Sequence, residues 1–396
     1  MCKAPRVSLG HPSHRDRISV AVDATPLLGN RSGVGMFCRG ALGALAARSD
    51  LDVAAFAVTW RRRRSLRPLV PPGIRVVQRA MPARPLHRSW KRRSLPPIEW
   101  FVGPVDVVHG TNFVVPPARR AARIVTVHDL TAVHFPEMCD ASTRMFPQIV
   151  RRAVAEGAWV HTPSRFVADE VVGEFGAAPD RVIVVHHGIP GHDGPAAAGS
   201  QSVGAPPPAV RLPAGTNRYV LALGTVEPRK DLPGLVRAFD RLAGDLPDLA
   251  LVLAGSPGWG DDALNRAVSA SPVADRIVRL GYVDDRALPG ILAAAAVLAY
   301  PSVYEGFGFP PLEAMASGVP VVATAVGAIP EIAGEGALLV APADVDGLAS
   351  GLLEVLQSAE TRQALVTRGF ERAGTFSWRS CAEGLADLYA RAARSR

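Results

Sequence analysis

Two carboxylates, Glu305 and Glu313, flank a glycine-rich turn in the stretch YEGFGFPPLEAMASGVP, residues 304–320. The stretch follows an apolar run typical of a strand and predicts the start of a helix, because proline is tolerated in a first helical turn. Glycines after a strand let a ligand approach the backbone, and the free N–H groups of a helix start favour an anion. The carboxylates can accept hydrogen bonds from two hydroxyl-bearing parts of one ligand, such as a sugar and a ribose. The stretch predicts a site for a phosphate-bearing ligand, although an isolated turn of this kind is often only structural.

A second charged turn lies in LALGTVEPRKDL, residues 221–232, where two adjacent cations follow a predicted strand. Asp231 is the expected N-cap of the next helix, since its carboxylate can accept a free N–H group of the first turn. Arg229 can bind two phosphate oxygens through its planar guanidinium, while Lys230 supplies a mobile point charge. The pair predicts a place for a diphosphate, with an ordinary surface turn as the alternative.

Further candidate residues follow other predicted strands, at the edge where α/β folds place ligands. His128 and Asp129 end the run VTVHDL, and a lone histidine there is more often structural than functional. His109 and Asn112 lie in HGTN after the preceding strand and indicate either an acceptor pocket or a turn. The loop GNRSGVG, residues 29–35, follows the first strand and suits either a ligand or a simple tight turn. Each of these signals is weak by itself.

Together, these motifs resemble those of a known family. The stretch 304–320 resembles the EX7E motif of retaining glycosyltransferases of the GT-B fold, in particular glycosyltransferase family 4. The similarity extends from the first glycine loop to the last helix and is strongest between Gly224 and Ile332. It implies an α/β protein with two Rossmann-like domains whose parallel sheets face each other across a cleft. The C-terminal helix is expected to cross back to the N-terminal domain.

The resemblance implies a role for each residue of the main motifs. Arg229 and Lys230 are expected to bind the diphosphate. Glu305 is expected to contact the hydroxyls of the transferred sugar, and Glu313 to hold the ribose. His128 is expected to orient or stabilise that sugar. The expected catalytic residues are therefore His128, Glu305, Arg229 and Lys230.

The resemblance also assigns a wider set of binding residues. Tyr282 and Val283 are expected against the nucleotide base, and Gly33 and Gly35 in a loop that closes over the diphosphate. The expected donor-binding residues are Gly33, Gly35, Arg229, Lys230, Tyr282, Val283, Glu305, Gly306, Phe307, Gly308, Phe309 and Glu313. The expected acceptor-side residues are His109, Asn112 and Asp129.

The chain departs from the family pattern at three places. Asp231 stands where relatives often have Asn, and it keeps the capping ability. Met36-Phe37 replaces a common Arg and aromatic residue, so no side-chain charge is assigned there. His186-His187-Gly188 replaces the usual Asn-Gly and is interpreted as a structural turn.

The family implies transfer from a nucleotide-diphosphate sugar with retention at the anomeric carbon, without a metal ion or other cofactor. The Glu-Pro-Arg-Lys turn resembles that of mannosyltransferases, which favours GDP-mannose as the donor and a glycan or lipid-linked saccharide as the acceptor. A nucleotide-sugar epimerase or hydrolase of the same fold is one alternative. A non-catalytic, basic polyanion-binding protein is another, and nucleic acid is not an expected partner.

The motifs require two α/β domains to position them. Apolar strand-like runs alternate with helical patterns, stop at a stretch rich in Gly, Pro, Ala and Ser, and then restart. The predicted strands are 18–22, 53–58, 105–109, 124–127, 182–186, 219–223, 249–254, 277–280, 297–300 and 320–323. The predicted division is an N-terminal domain at 1–190, a linker at 191–215, a C-terminal nucleotide-sugar domain at 216–376 and a last helix at 377–396. Helical spacing covers 344–372 and 378–394.

Charge is distributed unevenly along the chain. Residues 1–125 hold 22 Lys and Arg against 6 Asp and Glu, and the remainder holds 22 against 30. Part of the surplus lies in Arg61–Arg67 and in Lys91–Arg93, which suit either an anionic membrane surface or simply water. The polar start of the chain, the lack of a long apolar run and four dispersed cysteines predict a cytoplasmic protein with free thiols, or one peripheral at the inner face of the plasma membrane.

Overall fold

The computed structural model of the 396-residue chain describes residues 17–29, 32–92, 94–190 and 210–395. The side chains of His87, Lys91 and Arg92 also lie outside the description. Most of the predicted linker at 191–215, two residues of the first glycine loop and the side chains of the Lys91–Arg93 cluster therefore fall outside the described residues.

The first sheet is formed by strands from the N-terminal half of the chain. These strands are β1 (Ile18–Asp23), β2 (Leu51–Phe56), β3 (Arg75–Val76), β4 (Val107–Gly110), β5 (Ala122–Thr126), β6 (Trp159–Thr162) and β7 (Val182–Val184). They lie in the order β3-β2-β1-β4-β5-β6-β7. Because β1 pairs in parallel with both β2 and β4, the order of the strands reverses beside β1.

The second sheet repeats this arrangement with strands from the C-terminal half. These strands are β8 (Arg218–Leu223), β9 (Leu249–Ala254), β10 (Ile277–Gly281), β11 (Val297–Tyr300), β12 (Val321–Thr324) and β13 (Ala337–Val340). They lie in the order β10-β9-β8-β11-β12-β13, with parallel pairing throughout. This is the strand order of a Rossmann fold, whose reversal between β8 and β11 is the usual place for a ligand.

Helices connect the strands in both halves. They are α1 (Gly33–Leu45), α2 (Ala83–Arg92), α3 (Glu99–Val102), α4 (Thr131–His134), α5 (Phe146–Ala155), α6 (Arg165–Phe175), α7 (Leu232–Leu242), α8 (Asp261–Ala270), α9 (Leu288–Ala293), α10 (Phe309–Ala316), α11 (Ile329–Ala333), α12 (Val345–Gln357), α13 (Ala359–Ala373) and α14 (Trp378–Arg394). No helix among the described residues is both long and apolar enough to cross a membrane.

The predicted fold class is confirmed, and the differences concern short elements. Three strands, β3, β6 and β13, were not predicted, because they have only two to four residues and carry too little periodicity. The helical pattern at 344–372 is interrupted at Ser358, whose side chain accepts a hydrogen bond from Thr361 N and caps α13. A capping serine can end one helix and begin the next without breaking the apolar spacing.

The central strands of the second sheet are held in a buried core. All six residues of β9 and all four of β11 are buried, as expected for central parallel strands covered on both faces. Phe239 and Leu235 of α7 and Leu352 of α12 pack into this core and have no exposed surface. The loops that follow β8 and β11 therefore start from rigid positions.

Contacts divide the chain into two compact units. The first contains residues 1–126, 156–159 and 382–396, and the second contains 127–155 and 160–381. The division groups 127–155 and 160–190 with the C-terminal half, whereas the predicted domains divide the chain at 190. The predicted boundaries remain a prediction.

Within the first unit, α14 packs against the strands β4 and β5. His109 Nδ1 lies 2.9 Å from the Tyr389 hydroxyl, and His109 Nε2 lies 2.7 Å from Thr126 Oγ1. Arg391 lies over the ring of Trp159, and Trp159 Nε1 donates to Ser395 Oγ. The expected return of the last helix to the N-terminal strands is confirmed by these contacts.

Removal of the Tyr389 hydroxyl tests how firmly α14 is held. We expect Tyr389→Phe to lower the free energy of unfolding by about 1–3 kcal/mol, because it leaves a buried nitrogen of His109 without its partner. Urea denaturation followed by circular dichroism measures the change. Asp387→Asn, at an exposed position of the same helix, should change the stability by less than about 0.5 kcal/mol. Equal stabilities of Tyr389→Phe and the wild type would contradict the assignment.

Candidate active site

The predicted cations and the first carboxylate meet where the strand order of the second sheet reverses. Arg229 and Lys230 follow β8, and Glu305 follows β11, the strand beside it. Both loops leave the carboxyl ends of their strands, so they emerge at the same edge of the sheet. The reversal between two neighbouring strands opens the space in which Rossmann folds bind ligands.

One oxygen of Glu305 accepts two hydrogen bonds, from Lys230 and Ser302, and forms an ion pair with Arg229. Lys230 Nζ lies 2.5 Å, Arg229 Nη1 2.8 Å and the Ser302 hydroxyl 2.8 Å from Glu305 Oε1. The residue is only 6% exposed. All three of these contacts reach Oε1.

The two cations are themselves oriented by further partners. Arg229 Nε donates to Glu227 Oε2 at 2.8 Å, which fixes the plane of the guanidinium. Lys230 Nζ donates to the Tyr300 hydroxyl at 2.7 Å. Because an ammonium group has three donors and these contacts use two, one N–H of Lys230 can point to a ligand.

The electrostatics of this cluster stabilise its charged form. Burial raises the pKa of Glu305, but Arg229 and Lys230 lower it more, and the result is about 2. Burial lowers the pKa of Lys230 below its usual value, and Glu305 opposes part of that change. Burial also lowers the pKa of Arg229, but Glu305 and Glu227 raise it more, so this guanidinium stays charged.

The turn after Glu305 requires glycine at two positions. A Cβ at Gly306 would lie 1.8 Å from the carbonyl oxygen of His128, so the two backbones are in direct contact. Gly308 has a φ of +103° and precedes α10 directly, a conformation that L-residues with a side chain rarely adopt. The Ser164 hydroxyl donates to Gly306 O at 2.8 Å and holds the turn from another side. The backbone N–H groups at the start of α10 are therefore presented in a fixed orientation.

His128 and Asp129 lie beside this turn, as the close approach of Gly306 requires. The Asp129 carboxylate is near enough to Arg229 to raise its pKa, and Asp129 Oδ1 accepts a hydrogen bond from Thr131 N. The ring of His128 lies 5.6 Å from the ring of His187. The structure thus brings the predicted His-Asp pair and the predicted carboxylate into one neighbourhood.

The rings of Phe307 and Phe309 lie in an aromatic cluster. Their ring centroids lie 4.9 Å and 5.5 Å from the ring of His187, and Phe376 and Trp378 complete the cluster. Burial lowers the pKa of His187 well below its usual value, so its imidazole is neutral. The rings of Phe307 and Phe309 thus support the turn, and the donor-binding assignment of these residues remains a prediction. His187 thus packs in the segment after β7, and the interpretation of this segment as a structural turn remains a prediction.

Three further predicted donor residues lie on elements around the same sheet edge. Glu313 is half-buried on α10. Tyr282 and Val283 follow β10, and the side chain of Tyr282 is 54% exposed. An exposed ring at a strand end is consistent with a place for a planar base.

The remaining predicted residues lie in the first unit. Gly33 and Gly35 form the first turn of α1, where Ser32 is the N-cap and accepts a hydrogen bond from Gly35 N. Asn112 forms an isolated bridge with Val114. His109 is 1% exposed, and both of its nitrogens contact buried residues of the same unit. These contacts engage both nitrogens within the unit, and the acceptor-side assignment of His109 remains a prediction.

Three further residues of the site, Glu227, Tyr300 and Ser302, were not predicted from the sequence. Glu227 belongs to the Glu-Pro-Arg-Lys turn, but its role as the partner of Arg229 depends on the conformation of that turn. Tyr300 and Ser302 lie five and three residues before Glu305, and their polar groups at the end of an apolar strand were the available signal. Among the described residues, no cluster of three or more His, Cys, Asp or Glu side chains is arranged to hold a metal ion.

Two family models match the chain, one for each half. The model of Glycosyltransferase Family 4 matches residues 31–190, and that of glycosyl transferases group 1 matches 208–372. The fold is similar to that of sucrose-phosphate synthase from Thermosynechococcus elongatus, with a TM-score of 0.72 and 21% identity. That similarity covers 96% of this chain and 100% of the other, and it supports the GT-B fold.

Curated relatives are more similar in sequence. The O-antigen chain mannosyltransferase B of Escherichia coli is 33% identical over 291 residues, which are 72% of this chain and 74% of that protein. The MMP alpha-(1->4)-mannosyltransferase of Mycolicibacterium hassiacum is 36% identical over 181 residues, which are 44% of this chain and 43% of that protein.

The ion cluster around Glu305 should make stability depend on acid pH. The pKa of Glu305 is about 2 in the folded chain, against 4.5 for an unperturbed glutamate carboxyl. The ionised form therefore stabilises the fold above pH 4.5, and this contribution is lost as the pH falls towards 2. We expect Glu305→Gln to be less stable than the wild type at pH 7 by on the order of 3 kcal/mol.

Urea denaturation between pH 3 and 7 measures this difference, which should shrink as the pH falls below 4.5. Glu174→Gln, at an exposed position in α6, is the matched control and should show no comparable trend. A stability difference for Glu305→Gln that stays constant from pH 7 to pH 3 would rule out the low pKa.

Proposed function

The chain belongs to glycosyltransferase family 4 and is a hexosyltransferase, and on that premise we propose that it transfers mannose from GDP-mannose with retention at the anomeric carbon. The acceptor is proposed to be a glycan or a lipid-linked saccharide. The observation that carries the proposal is the buried cluster of Arg229, Lys230 and Glu305 at the reversal of the second sheet.

The cations of this cluster suit the departing diphosphate. Arg229 uses Nε and Nη1 for Glu227 and Glu305, and Nη2 is the group that we assign to a phosphate oxygen. Lys230 adds its third N–H, and the start of α10 adds backbone N–H groups. Charge grows on the diphosphate as the glycosidic bond breaks, so fixed donors at this place stabilise the transition state more than the ground state.

The carboxylates and His128 suit the sugar side of the donor. Glu305 Oε2 is assigned to hydroxyls of the transferred hexose, and Glu313 on α10 to the ribose. Since Glu305 Oε1 is engaged by Lys230, Ser302 and the Arg229 guanidinium, we assign Glu305 a binding role and not that of a nucleophile. The acceptor hydroxyl then attacks on the face that the leaving group vacates, which retains the configuration. His128, beside Gly306, orients or stabilises the transferred sugar.

Mannose is proposed as the sugar because two relatives are mannosyltransferases by name. GDP is proposed as the nucleotide because the Glu-Pro-Arg-Lys turn resembles that of enzymes that use GDP-mannose. The exposed Tyr282 and the neighbouring Val283 are assigned to the base.

Binding of nucleotides tests the donor. We expect GDP and GDP-mannose to raise the melting temperature of the purified protein more than UDP, ADP or their sugar conjugates do, because a ligand that binds only the folded state stabilises it. Glu313→Ala and Arg229→Ala should each weaken GDP binding about tenfold or more, since each removes a charge-assisted hydrogen bond. Calorimetric titration measures the affinities, and Glu335→Ala, at an exposed glutamate, should bind as the wild type does.

Selective binding of UDP or ADP would replace the proposed nucleotide, and no binding to any of them would contradict the donor site. Analysis of products from GDP-mannose separates the classes of enzyme. A transferase forms a new glycoside with an acceptor, a hydrolase yields only free mannose, and an epimerase leaves the bond between sugar and nucleotide intact.

We also propose that an anionic membrane surface contacts the segment around Arg61–Arg67. Arg61, Arg62 and Arg64 are exposed, and beside them Trp60 is 59% exposed. Trp100, which is 64% exposed, accepts a hydrogen bond from Arg79 through its carbonyl oxygen. Exposed tryptophans next to arginines are typical of surfaces that insert at the boundary between headgroups and water. Lys91–Arg93 belongs to the same proposal, although its side chains lie outside the described residues.

Vesicle sedimentation tests the membrane contact. We expect the triple variant Arg61→Gln, Arg62→Gln, Arg64→Gln to bind vesicles of phosphatidylglycerol and phosphatidylcholine about 100-fold more weakly, at about 1 kcal/mol for each arginine. The control Arg362→Gln, Arg368→Gln changes two exposed arginines of α13 and should bind as the wild type does. Binding that is the same for vesicles with and without phosphatidylglycerol would exclude the contact.

A further inference from the structure

The tyrosine that precedes Glu305 joins the two loops of the candidate active site. The Tyr304 hydroxyl accepts a hydrogen bond from Leu130 N at 2.9 Å and donates one to Glu170 Oε2 at 2.5 Å. Leu130 lies two residues after His128, and Tyr304 lies one residue before Glu305. One hydroxyl group thus connects the backbone beside the predicted histidine with the loop of the buried carboxylate.

Glu170 is in turn fixed by a second partner. His134 Nε2 lies 2.8 Å from Glu170 Oε1, so the two carboxylate oxygens hold two different groups. Glu170 lies on α6 and His134 on α4, which begins directly after Leu130. We call Tyr304, Glu170, His134 and the Leu130 N–H the tyrosine clamp. Both ends of the clamp are therefore attached to regular elements.

The ring of Tyr304 is also enclosed. Its centroid lies 5.8 Å from that of His134, 5.7 Å from that of Phe135 and 5.9 Å from that of Phe166. The residue is 5% exposed. Packing of this kind keeps the ring in place even without its hydroxyl, so that the effect of the hydrogen bonds can be separated from that of the ring.

The tolerance for movement between the two loops is small. The backbones of Gly306 and His128 are in direct contact, since a Cβ at Gly306 would lie 1.8 Å from His128 O. The Ser164 hydroxyl holds Gly306 O, and Ala328 N donates to Glu305 O. The Glu305 side of the contact is therefore fixed by several groups. On the His128 side, Val127 N donates to His161 O, and the clamp holds Leu130 N.

We propose that Tyr304 is a positioning residue. Through its hydrogen bonds to Leu130 N and Glu170, it holds His128 at the distance from Glu305 that sugar transfer requires. This inference rests on the proposed function, because it gives His128 a task at the transferred sugar. Tyr304 itself touches neither the sugar nor the diphosphate. Its effect should therefore appear in the turnover rate and not in nucleotide affinity, because small displacements of a reacting group lower rates strongly.

Hydrolysis of the donor gives a test that needs no acceptor. Water attacks the anomeric carbon, the bond between that carbon and the diphosphate oxygen breaks, and the products are the free sugar, the nucleoside diphosphate and a proton. The donor is GDP-mannose, or the UDP- or ADP-sugar that the wild-type enzyme hydrolyses instead. We expect Tyr304→Phe to lower kcat about tenfold, with the dissociation constant for the nucleoside diphosphate changed less than about twofold.

Two comparisons distinguish positioning from a merely structural role. Tyr219→Phe removes another buried hydroxyl, which donates to Ile291 O at 2.6 Å, and it should keep the wild-type kcat. Glu170→Gln keeps an acceptor for the Tyr304 hydroxyl and should retain more activity than Glu170→Ala. In addition, the double variant His128→Ala, Tyr304→Phe should be no slower than His128→Ala alone, because the clamp acts through His128.

The outcomes separate the two proposals. A wild-type kcat in Tyr304→Phe, or losses that multiply in the double variant, would overturn the clamp and leave the proposed function intact. A wild-type enzyme that binds no nucleoside diphosphate and consumes no nucleotide sugar, with or without an acceptor, would overturn the proposed function and, with it, the premise of the clamp.

Discussion

The buried contact of Glu305 with Lys230 and Arg229 is the constraint on which the rest of the site depends. Removal of three charges from water is costly, and the cost is offset only if the charges meet with good geometry and with their remaining groups satisfied. Glu227, Tyr300 and Ser302 provide the additional hydrogen bonds. The cluster can form only if the loops after β8 and β11 lie side by side, and the strand order of the second sheet ensures this.

The same cluster fixes Arg229 and Lys230 in place for the proposed stabilisation of a departing diphosphate. Because Arg229 and Lys230 are held before any ligand arrives, they need little reorganisation when negative charge grows beside them. In a low-dielectric environment such fixed donors are worth more than in water. The carboxylate of Glu305, which holds them, is thus a structural element of the site.

The turn from Glu305 to Gly308 packs against neighbouring residues on two sides. On one side it contacts the backbone of His128, and on the other its two phenylalanines pack against His187, Phe376 and Trp378. The packing of His187 gives a physical reason for the departure from the family pattern at His186-His187-Gly188. A neutral, buried imidazole stacks on Phe309 with an interplanar angle of 12° and fills the space under the turn.

Elements and motifs that depend on local chemistry could be predicted from the sequence. Strands such as β9 and β11, with uninterrupted apolar runs, agree residue for residue with the predicted ones, and the last helix agrees over 378–394. Some signals depend only on residues that are close together in the sequence, such as glycines after strands, a proline in the first helical turn and paired charges. The stretches 304–320 and 221–232 therefore indicated a phosphate-binding edge. The short strands β3, β6 and β13 escaped because they exist mainly through pairing with neighbours that are distant in the chain.

Tertiary structure alone decided which of these groups meet. No spacing in the sequence pairs Glu305 with Lys230, which lies 75 residues earlier, or Tyr304 with Glu170, which lies 134 residues earlier. His109 and His128 are similar in sequence, because each ends a strand of the first sheet. Packing separates them: Tyr389 and Thr126 occupy both nitrogens of His109, whereas the backbone of His128 lies against Gly306. The sequence by itself determined which residues have suitable chemistry and local conformation, and the three-dimensional contacts determined their roles, because burial and partner distance depend on the whole fold.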